Sequence, residues 1–333
     1  MIGAGHWGPN LIGALSGLAN VELRFVCDLD ESNLERVRAR FSSLETTTDP
    51  QVVLADASSE AVCIATPVSS HFDLAKAALE NGKHVLVEKP LCQAVSQCRA
   101  LEELARKQNR VLLVGHVFLF NPSIMKVREI LQAGDLGRIF YLEAHRTNLG
   151  PVRRDVNAIW DLTSHDISIF NYLLDSQPLA ASAVGSKALD GHVEDTTFTT
   201  FRYPGSILAH AHASWLNPKK VRQITIVGER KMLTWDDIDL THPIRIYDSN
   251  VTIDSPYSDS FDSHRLSYQR GDVVMPHVEG GQPLQNECRA FVASVLDGAP
   301  VISDGAFGRE VVGALEATDR SLEKNSAFID IEG

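Results

Sequence analysis

Short, continuously apolar runs alternate with amphipathic stretches through the first third of the chain. That alternation predicts a parallel sheet with helices on both faces. The runs are "AVCIATP" (61–67), "HVLVEKP" (84–90) and "RVLLVGHVF" (110–118). A helix over 71–80 follows the first, with Leu74, Ala75, Ala78 and Leu79 on one side and Asn81-Gly82 closing it. A second helix, over 96–109, separates the other two. Earlier, Leu11, Ile12, Leu15 and Leu18 recur at helical spacing behind Pro9, whose missing N–H costs nothing in a first turn. "VELRFVCDLD" then gives a strand ending at Asp28.

From about residue 138 the period changes to two. "IFYLEAHRT", "DTTFTTFRY", "SILAHAHASWL", "VRQITIVGERKMLTW" and "PIRIYD" read as strands of a mostly antiparallel sheet. Between the first two lies a helix over 160–174, with Leu162, Ile169 and Leu173 in one apolar row and Ile167, Phe170 and Leu174 in the next. Residues 249–282, rich in Ser, Asp, Gly and Pro, read as a long irregular excursion. Helices over 283–296 and 308–322 close the chain. The expected architecture is an α/β chain of two domains. Residues 1–117 form a Rossmann-type, doubly wound parallel sheet, and residues 118–333 an α+β domain with a large antiparallel sheet, whose last helices are free to pack back on the first domain.

Composition narrows the function classes. The chain has 333 residues, 44% hydrophobic and 22% charged, enough apolar surface for two cores. A net charge of -12 argues against a general nucleic-acid or membrane-surface binder, which needs a surplus of Lys and Arg. The cysteines Cys27, Cys63, Cys92, Cys98 and Cys288 form no C-x-x-C pair and fall mostly in apolar runs. They read as buried thiols of a reducing compartment, and the cytoplasm is the expected location.

Candidate chemistry begins at the first line, "MIGAGHWGPNLIGAL". Gly3, Gly5 and Gly8 give G-x-G-x-x-G: a tight turn, a close approach of backbone to a pyrophosphate, and close packing of the following helix, whose N-terminal amides attract phosphate. Alone the motif is weak, since such glycines are more often turn-formers; the strand-and-helix context strengthens it. Asp28, about 20 residues on, is placed to accept bonds from ribose hydroxyls and to repel a 2′-phosphate, which favours NAD over NADP. Only Met1 and Ile2 precede the loop, although a central strand normally does. Either residues are missing ahead of Met1 or the first strand is a stub. Glu88, Lys89 and Pro90 fall at the carboxyl end of a buried strand, the edge where open α/β sheets bind ligands. An ordinary surface lysine is the plain alternative, but Pro90 fixes the direction of Lys89 and marks a candidate cis bond.

In the second half, Asp161 and His165 stand four apart on the helix after "RTNLGPVRRDVNAIW" (146–160). Arg146, Asn148, Arg153, Arg154 and Asn157 are dense in donors for phosphate and hydroxyl groups; a polar loop balancing its acidic neighbours is the plain reading. His116 follows a strand end and reads equally as structural or as site-facing. His210 and His212 share a strand face, but no third ligand stands near in sequence and no metal is expected. Ile139, Tyr141, Phe198, Phe201, Leu208 and Trp215 are more apolar positions than one helical layer needs to cover, and such a sheet face suits a second copy of the chain.

"GAGHWGPN", "EKPL", "GHVFLFNP", "RTNLGPVRRDVNAIWDLTSHD" and "EDTTFTTFRYPGSILAHAHASWL", in this order over nearly the whole chain, resemble the glucose-fructose oxidoreductase, inositol dehydrogenase and rhizopine catabolism (Gfo/Idh/MocA) family. The 146–166 block resembles the branch acting on nucleotide-linked N-acetyl sugars. His6 departs from the aromatic residue common there. The resemblance implies an NAD-dependent dehydrogenase, a homodimer or tetramer, and a UDP-sugar as substrate. It implies cofactor contacts from Gly3, Gly5, His6, Trp7, Gly8, Asp28, Thr66, Pro67, His71, Glu88 and Lys89. It places Lys89, Asp161 and His165 around the reacting carbon, with His116, Arg146, Asn148, Arg153, Arg154, Asn157 and Trp160 on the substrate. His165 is the expected base, its ordinary pKa of about 6.5 being near working pH, with Asp161 orienting it and Lys89 steadying the alkoxide. A Lys89 base is the alternative and would need its pKa lowered by burial. Two other functions stay open: a dehydrogenase of a free polyol such as inositol, and a non-catalytic dinucleotide-binding regulator.

Overall fold

The computed structural model describes residues 1–189, 191–254 and 265–332. They fall into two compact units: Met1–Asn121 with Gly281–Glu316, and Pro122–Gly280 with Ala317–Glu332.

The first unit alternates helix and strand as the apolar runs predict: α1 (Gly8–Ser16), β1 (Phe25–Cys27), α2 (Glu31–Arg40), β2 (Glu45–Thr47), α3 (Pro50–Ala55), β3 (Ala61–Ile64), α4 (His71–Glu80), β4 (His84–Glu88), α5 (Val95–Gln108) and β5 (Leu112–Gly115). Strands β1 and β2 pair in parallel, as do β3, β4 and β5. The gap between the two groups is filled by the first residues of the chain. Ile2 bridges in parallel to both Ile64 and Cys27. Its N–H donates to Cys63 O at 2.8 Å and its carbonyl accepts from Ala65 N at 2.8 Å, while Cys27 N donates to Met1 O at 2.8 Å. Met1 and Ile2 thus take the central position, and the sheet runs β2, β1, Met1–Ile2, β3, β4, β5. The carboxyl ends of Met1–Ile2 and of β3 flank the point where strand order reverses, which is where such sheets take ligands.

Helices α2 and α3 are not evident in apolar periodicity. Their starts are set by Asp30 and Asp49, whose side chains accept from Ser32 N and Gln51 N.

The second unit contains α6 (Pro122–Gln132), β6 (Ile139–Leu149), a π-helical turn (Ile159–Thr163) leading into α7 (Ser164–Leu174), β7 (Ala180–Ser186), β8 (Thr196–Tyr203), β9 (Ile207–Ser214), β10 (Leu216–Gly228), β11 (Met232–Asp236), β12 (Ile244–Asp254) and β13 (Arg265–Val274). After these come α8 (Pro283–Asp297), α9 (Gly305–Glu323) and β14 (Ile329–Asp330). One sheet has the order β13-β12-β11-β10-β6-β9-β8-β7-β14. All neighbours in it are antiparallel except β6 and β9.

Three expectations need correction. Residues 249–254 and 265–274 are not an irregular excursion but the paired strands β12 and β13; residues 255–264 of that stretch lie outside the described residues. Polar side chains hid the strands, because edge strands need little apolar cover. "VRQITIVGERKMLTW" is two strands, β10 and β11, joined across Glu229 to Lys231. Phe201 and Trp215, expected on the uncovered sheet face, are buried (0% and 1% exposed), whereas Tyr141, Phe198 and Leu208 are exposed at 44%, 43% and 47%.

Candidate active site

In the first unit the glycine loop is built as the motif requires. Gly3 has φ +98°, and a Cβ there would stand 2.4 Å from Ala65 O. A Cβ on Gly8 would stand 2.3 Å from Gly3 O, whereas one on Gly5 would meet nothing within 4 Å. Two glycines therefore close the turn, and the third leaves backbone open on the ligand side. Asp28 ends β1, and its Oδ2 accepts from Ala4 N of the loop at 2.6 Å. Its Oδ1 accepts from Asp30 N at 2.9 Å and Asn33 Nδ2 at 3.1 Å. A small, bare, anion-favouring cradle with a fixed carboxylate beside it fits a dinucleotide: Gly5 and the first turn of α1 would hold the pyrophosphate, and Asp28 the ribose.

The next strand ends supply the other first-unit residues. Thr66 and Pro67 follow β3, and His71 opens α4. The His71 ring is 1% exposed and lies 2.9 Å from both Pro90 O and Thr66 O. Burial pushes its pKa down, and a neutral ring donates to one of those carbonyls. His71 thus braces the loops after β3 and β4, with both ring nitrogens on backbone carbonyls.

Lys89 follows β4, and its bond to Pro90 is cis. Its N–H donates to Glu88 Oε2 at 3.3 Å. The Glu88 carboxyl, pushed up to about 7 by burial against the pull of Lys89, also takes a hydrogen bond from Trp7. His6 is exposed and Trp7 37% exposed. His116, after β5, is 0% exposed, edge-on to Phe307 at 5.6 Å, and its two ring nitrogens have no hydrogen-bond partner among the described residues. Burial, then Lys89, lowers its pKa to about 3. A wholly buried neutral ring agrees with the structural reading of His116.

In the second unit the substrate candidates sort by burial. Arg146, expected on the sugar or diphosphate, is 3% exposed, with Nε and Nη2 donating to Asp166 Oδ1 at 3.0 and 2.7 Å. It is an internal ion pair and not a ligand-facing donor. Its position was misread because β6 alternates over 141–146: Tyr141, Glu143 and His145 face outward, and Leu142, Ala144 and Arg146 face in. Burial outweighs Arg146 and raises the pKa of Asp166.

Asn157 caps the π-helical turn, its Oδ1 accepting from Ile159 N and Trp160 N at 3.1 Å each. Asn157 Nδ2 and Trp160 Nε1 donate to the two oxygens of Asp319 at 3.1 and 2.7 Å. Both side chains hold the turn, and Asp319 was not legible as their anchor. Asp161 sits in the turn itself. Its Oδ1 accepts from Arg153 Nη1 at 3.3 Å and its Oδ2 from Trp215 Nε1 at 3.0 Å. Because this turn is π and not α, Asp161 and His165 are not related by a regular α-helical four-residue step. Arg153 also pairs with Asp155, Nε to Oδ1 at 3.0 Å. Arg154 is exposed and Asn148 half-buried, so these two retain open polar surface.

On the outer face of the large sheet, His145 and His212 are register partners with rings 5.7 Å apart, and Phe198 stacks on His212 at 4.4 Å. Among the described residues no group of three or more His, Cys, Asp or Glu is arranged to hold a metal ion. No helix among them is long and apolar enough to cross a membrane, and the five cysteines are buried and free.

A parallel nucleotide-binding sheet joined to a nine-stranded sheet is the build of the Gfo/Idh/MocA oxidoreductases, and the chain belongs to that family. Residues 1–116 match the model of its NAD-binding Rossmann domain and residues 124–234 that of its C-terminal domain. The protein is an NAD-dependent dehydrogenase acting on CH–OH groups. It is 28% identical over 328 residues to UDP-N-acetylglucosamine 3-dehydrogenase of Acidithiobacillus ferrooxidans, covering 94% of this chain and 93% of that one. The solved structure of UDP-N-acetylglucosamine 3-dehydrogenase from the same organism is 25% identical, with a TM-score of 0.77 over 97% of each chain. The NAD-dependent scyllo-inositol 2-dehydrogenase of Bacillus subtilis is 28% identical over 194 residues, 56% of each chain.

Proposed function

We propose that this enzyme oxidises the C3 hydroxyl of UDP-N-acetylglucosamine to the 3-keto sugar. The observation that carries this reading is the likeness to a UDP-N-acetylglucosamine 3-dehydrogenase along nearly the full length of both chains. The likeness to the scyllo-inositol enzyme covers little more than half of each. Bound NAD supplies a hydride acceptor. His165 takes the hydroxyl proton, since an imidazole can accept a proton on one ring nitrogen. Asp161, held by Arg153 and Trp215, is fixed in place to orient the base or a neighbouring hydroxyl. Lys89 steadies the negative charge that develops on the oxygen. Exposed Arg154 and half-buried Asn148 are the candidates for the diphosphate and sugar. Retention of both Lys89 and His165 disfavours a non-catalytic regulator.

The 3-keto product suits an aminotransferase that installs a 3-amino group on a sugar of lipid A or another surface glycan. Buried, unpaired thiols suit the cytoplasm. We assign the outer sheet face that carries exposed Tyr141 and Leu208, register partners on β6 and β9, and Phe198 on β8 to a second copy of the chain, as a dimer or tetramer.

Titration of the pure protein, in the presence of NAD, with UDP-N-acetylglucosamine and separately with myo-inositol tests the substrate. The UDP-sugar is expected to produce NADH absorbance at least about a hundredfold more efficiently, because a free polyol leaves the donors for the diphosphate unpaired. A preference for inositol overturns the nucleotide-sugar reading.

A further inference from the structure

Two carboxyl groups meet the ligand-side edge of the first unit without a part in the reaction above. Glu88 ends β4. Its carboxyl lies against the bare Cα of Gly115 on β5, where a Cβ would fall 3.1–3.2 Å from its atoms. It accepts from the Lys89 N–H and from Trp7 of the glycine loop. Glu287, in the second turn of α8, is 0% exposed, and neither of its oxygens has a hydrogen-bond partner among the described residues. Asn286 fixes this turn, its Nδ2 donating to Phe120 O at 3.1 Å just past β5.

A buried carboxyl without a donor stays the neutral acid, and an anion at Glu88 opposes its ionisation further. Glu88 is different: Trp7, the Lys89 N–H and the Lys89 ammonium all favour its anion. The pair therefore carries no charge or a single negative charge, and the charge belongs to Glu88. The other titratable neighbours are Lys89, His116, Cys63 and Cys288. Burial pushes the Cys63 thiol up to about 11 and the Cys288 thiol up as well, and His116 is neutral, so these three keep one state between pH 6 and 8.

We propose that Glu88, with Glu287 held neutral behind it, senses the oxidation state of the cofactor: its anion favours the positively charged nicotinamide of NAD⁺, and its neutral form removes that preference. The inference rests on reading the edge after β4 as the nicotinamide end of the cofactor site. It also gives the glycine at 115 a reason, since any side chain there would displace the carboxyl from its place beside Lys89.

The test is calorimetric titration of the full chain with NAD⁺ and with NADH at pH 6, 7 and 8, without sugar. NAD⁺ is expected to bind about tenfold more weakly at pH 6 than at pH 8, as one carboxylate becomes protonated, while NADH changes by less than about twofold. Glu88→Gln should flatten the NAD⁺ profile, and Glu287→Gln, which replaces a neutral acid by a neutral amide, should keep it. Binding of NADH shows that each variant is folded, and the wild-type comparison decides the matter even if one is not. Parallel NAD⁺ and NADH profiles in the wild type, or an unchanged slope in Glu88→Gln, overturn the proposal alone. Absence of binding of either form to the wild type overturns the cofactor reading with it.

Discussion

Lys89→Met is expected to lower turnover by about a thousandfold or more while changing NAD affinity by no more than about tenfold. The substitution keeps the length and apolar stem of the side chain and removes only the ammonium. Removing one group that stabilises a developing oxyanion ordinarily costs about 10²–10³ in rate, and loss of a proton-transfer function adds to that if Lys89 shares the base's task. The dinucleotide cradle is made of other parts: the backbone of Gly3, Gly5 and Gly8, the first turn of α1, and Asp28 pinned by Ala4 N. Steady-state rates beside a fluorescence titration of NAD separate the two quantities. Loss of cofactor affinity equal to the loss of rate would mean that Lys89 holds the cofactor and does not act on the substrate.

Arg146→Met should destabilise the protein by about 3–5 kcal/mol, because it strands a carboxylate that has almost no water around it. Asp166 is 1% exposed and its Oδ1 takes both bonds from Arg146, so removing the guanidinium leaves an uncompensated buried charge. Asp166 answers by protonating, which limits the cost but does not restore the lost bonds. Pairing the change with Asp166→Leu should recover most of the loss, since an apolar pair of similar volume needs no solvation. Urea unfolding of the single and double variants measures both effects. A single-variant loss under about 1 kcal/mol would show that Arg146 is not the internal strut its burial describes.

The elements that apolar spacing defines were legible, and the ones that polar capping or edge position defines were not. Val62, Ile64, Val85, Leu86 and Val87, all 0% exposed, announce central strands because parallel sheets are buried on both faces. By contrast α2 carries only Leu34 and Val37 to the core and depends on the Asp30 cap, and β13 with the second half of β12, beyond the "PIRIYD" that was read as a strand, lies at the sheet's edge. Met1 and Ile2 carried no periodicity to announce a strand, and sheet pairing places them between β1 and β3.

The site shows the same division. The glycine loop, Asp28, Glu88 and Lys89 follow from strand ends, where direction is fixed by the sheet. Arg146 was misread because donor chemistry was visible and inward direction was not. Glu287 had a faint signal: it falls on the apolar side of α8 between Leu284 and Phe291, beside Cys288. Asp319 had none, since its partners Asn157 and Trp160 lie 162 and 159 residues away.

The central claim is that a hydride leaves C3 of a UDP-linked N-acetylglucosamine. UDP-N-acetylglucosamine carrying deuterium at C3 tests it directly, with the reduced cofactor and the sugar product read by mass spectrometry and NMR. The account predicts NADD in one-to-one yield with an unlabelled 3-keto sugar. Reduced cofactor free of deuterium, or tight NAD binding with no turnover of any UDP-sugar, would contradict it.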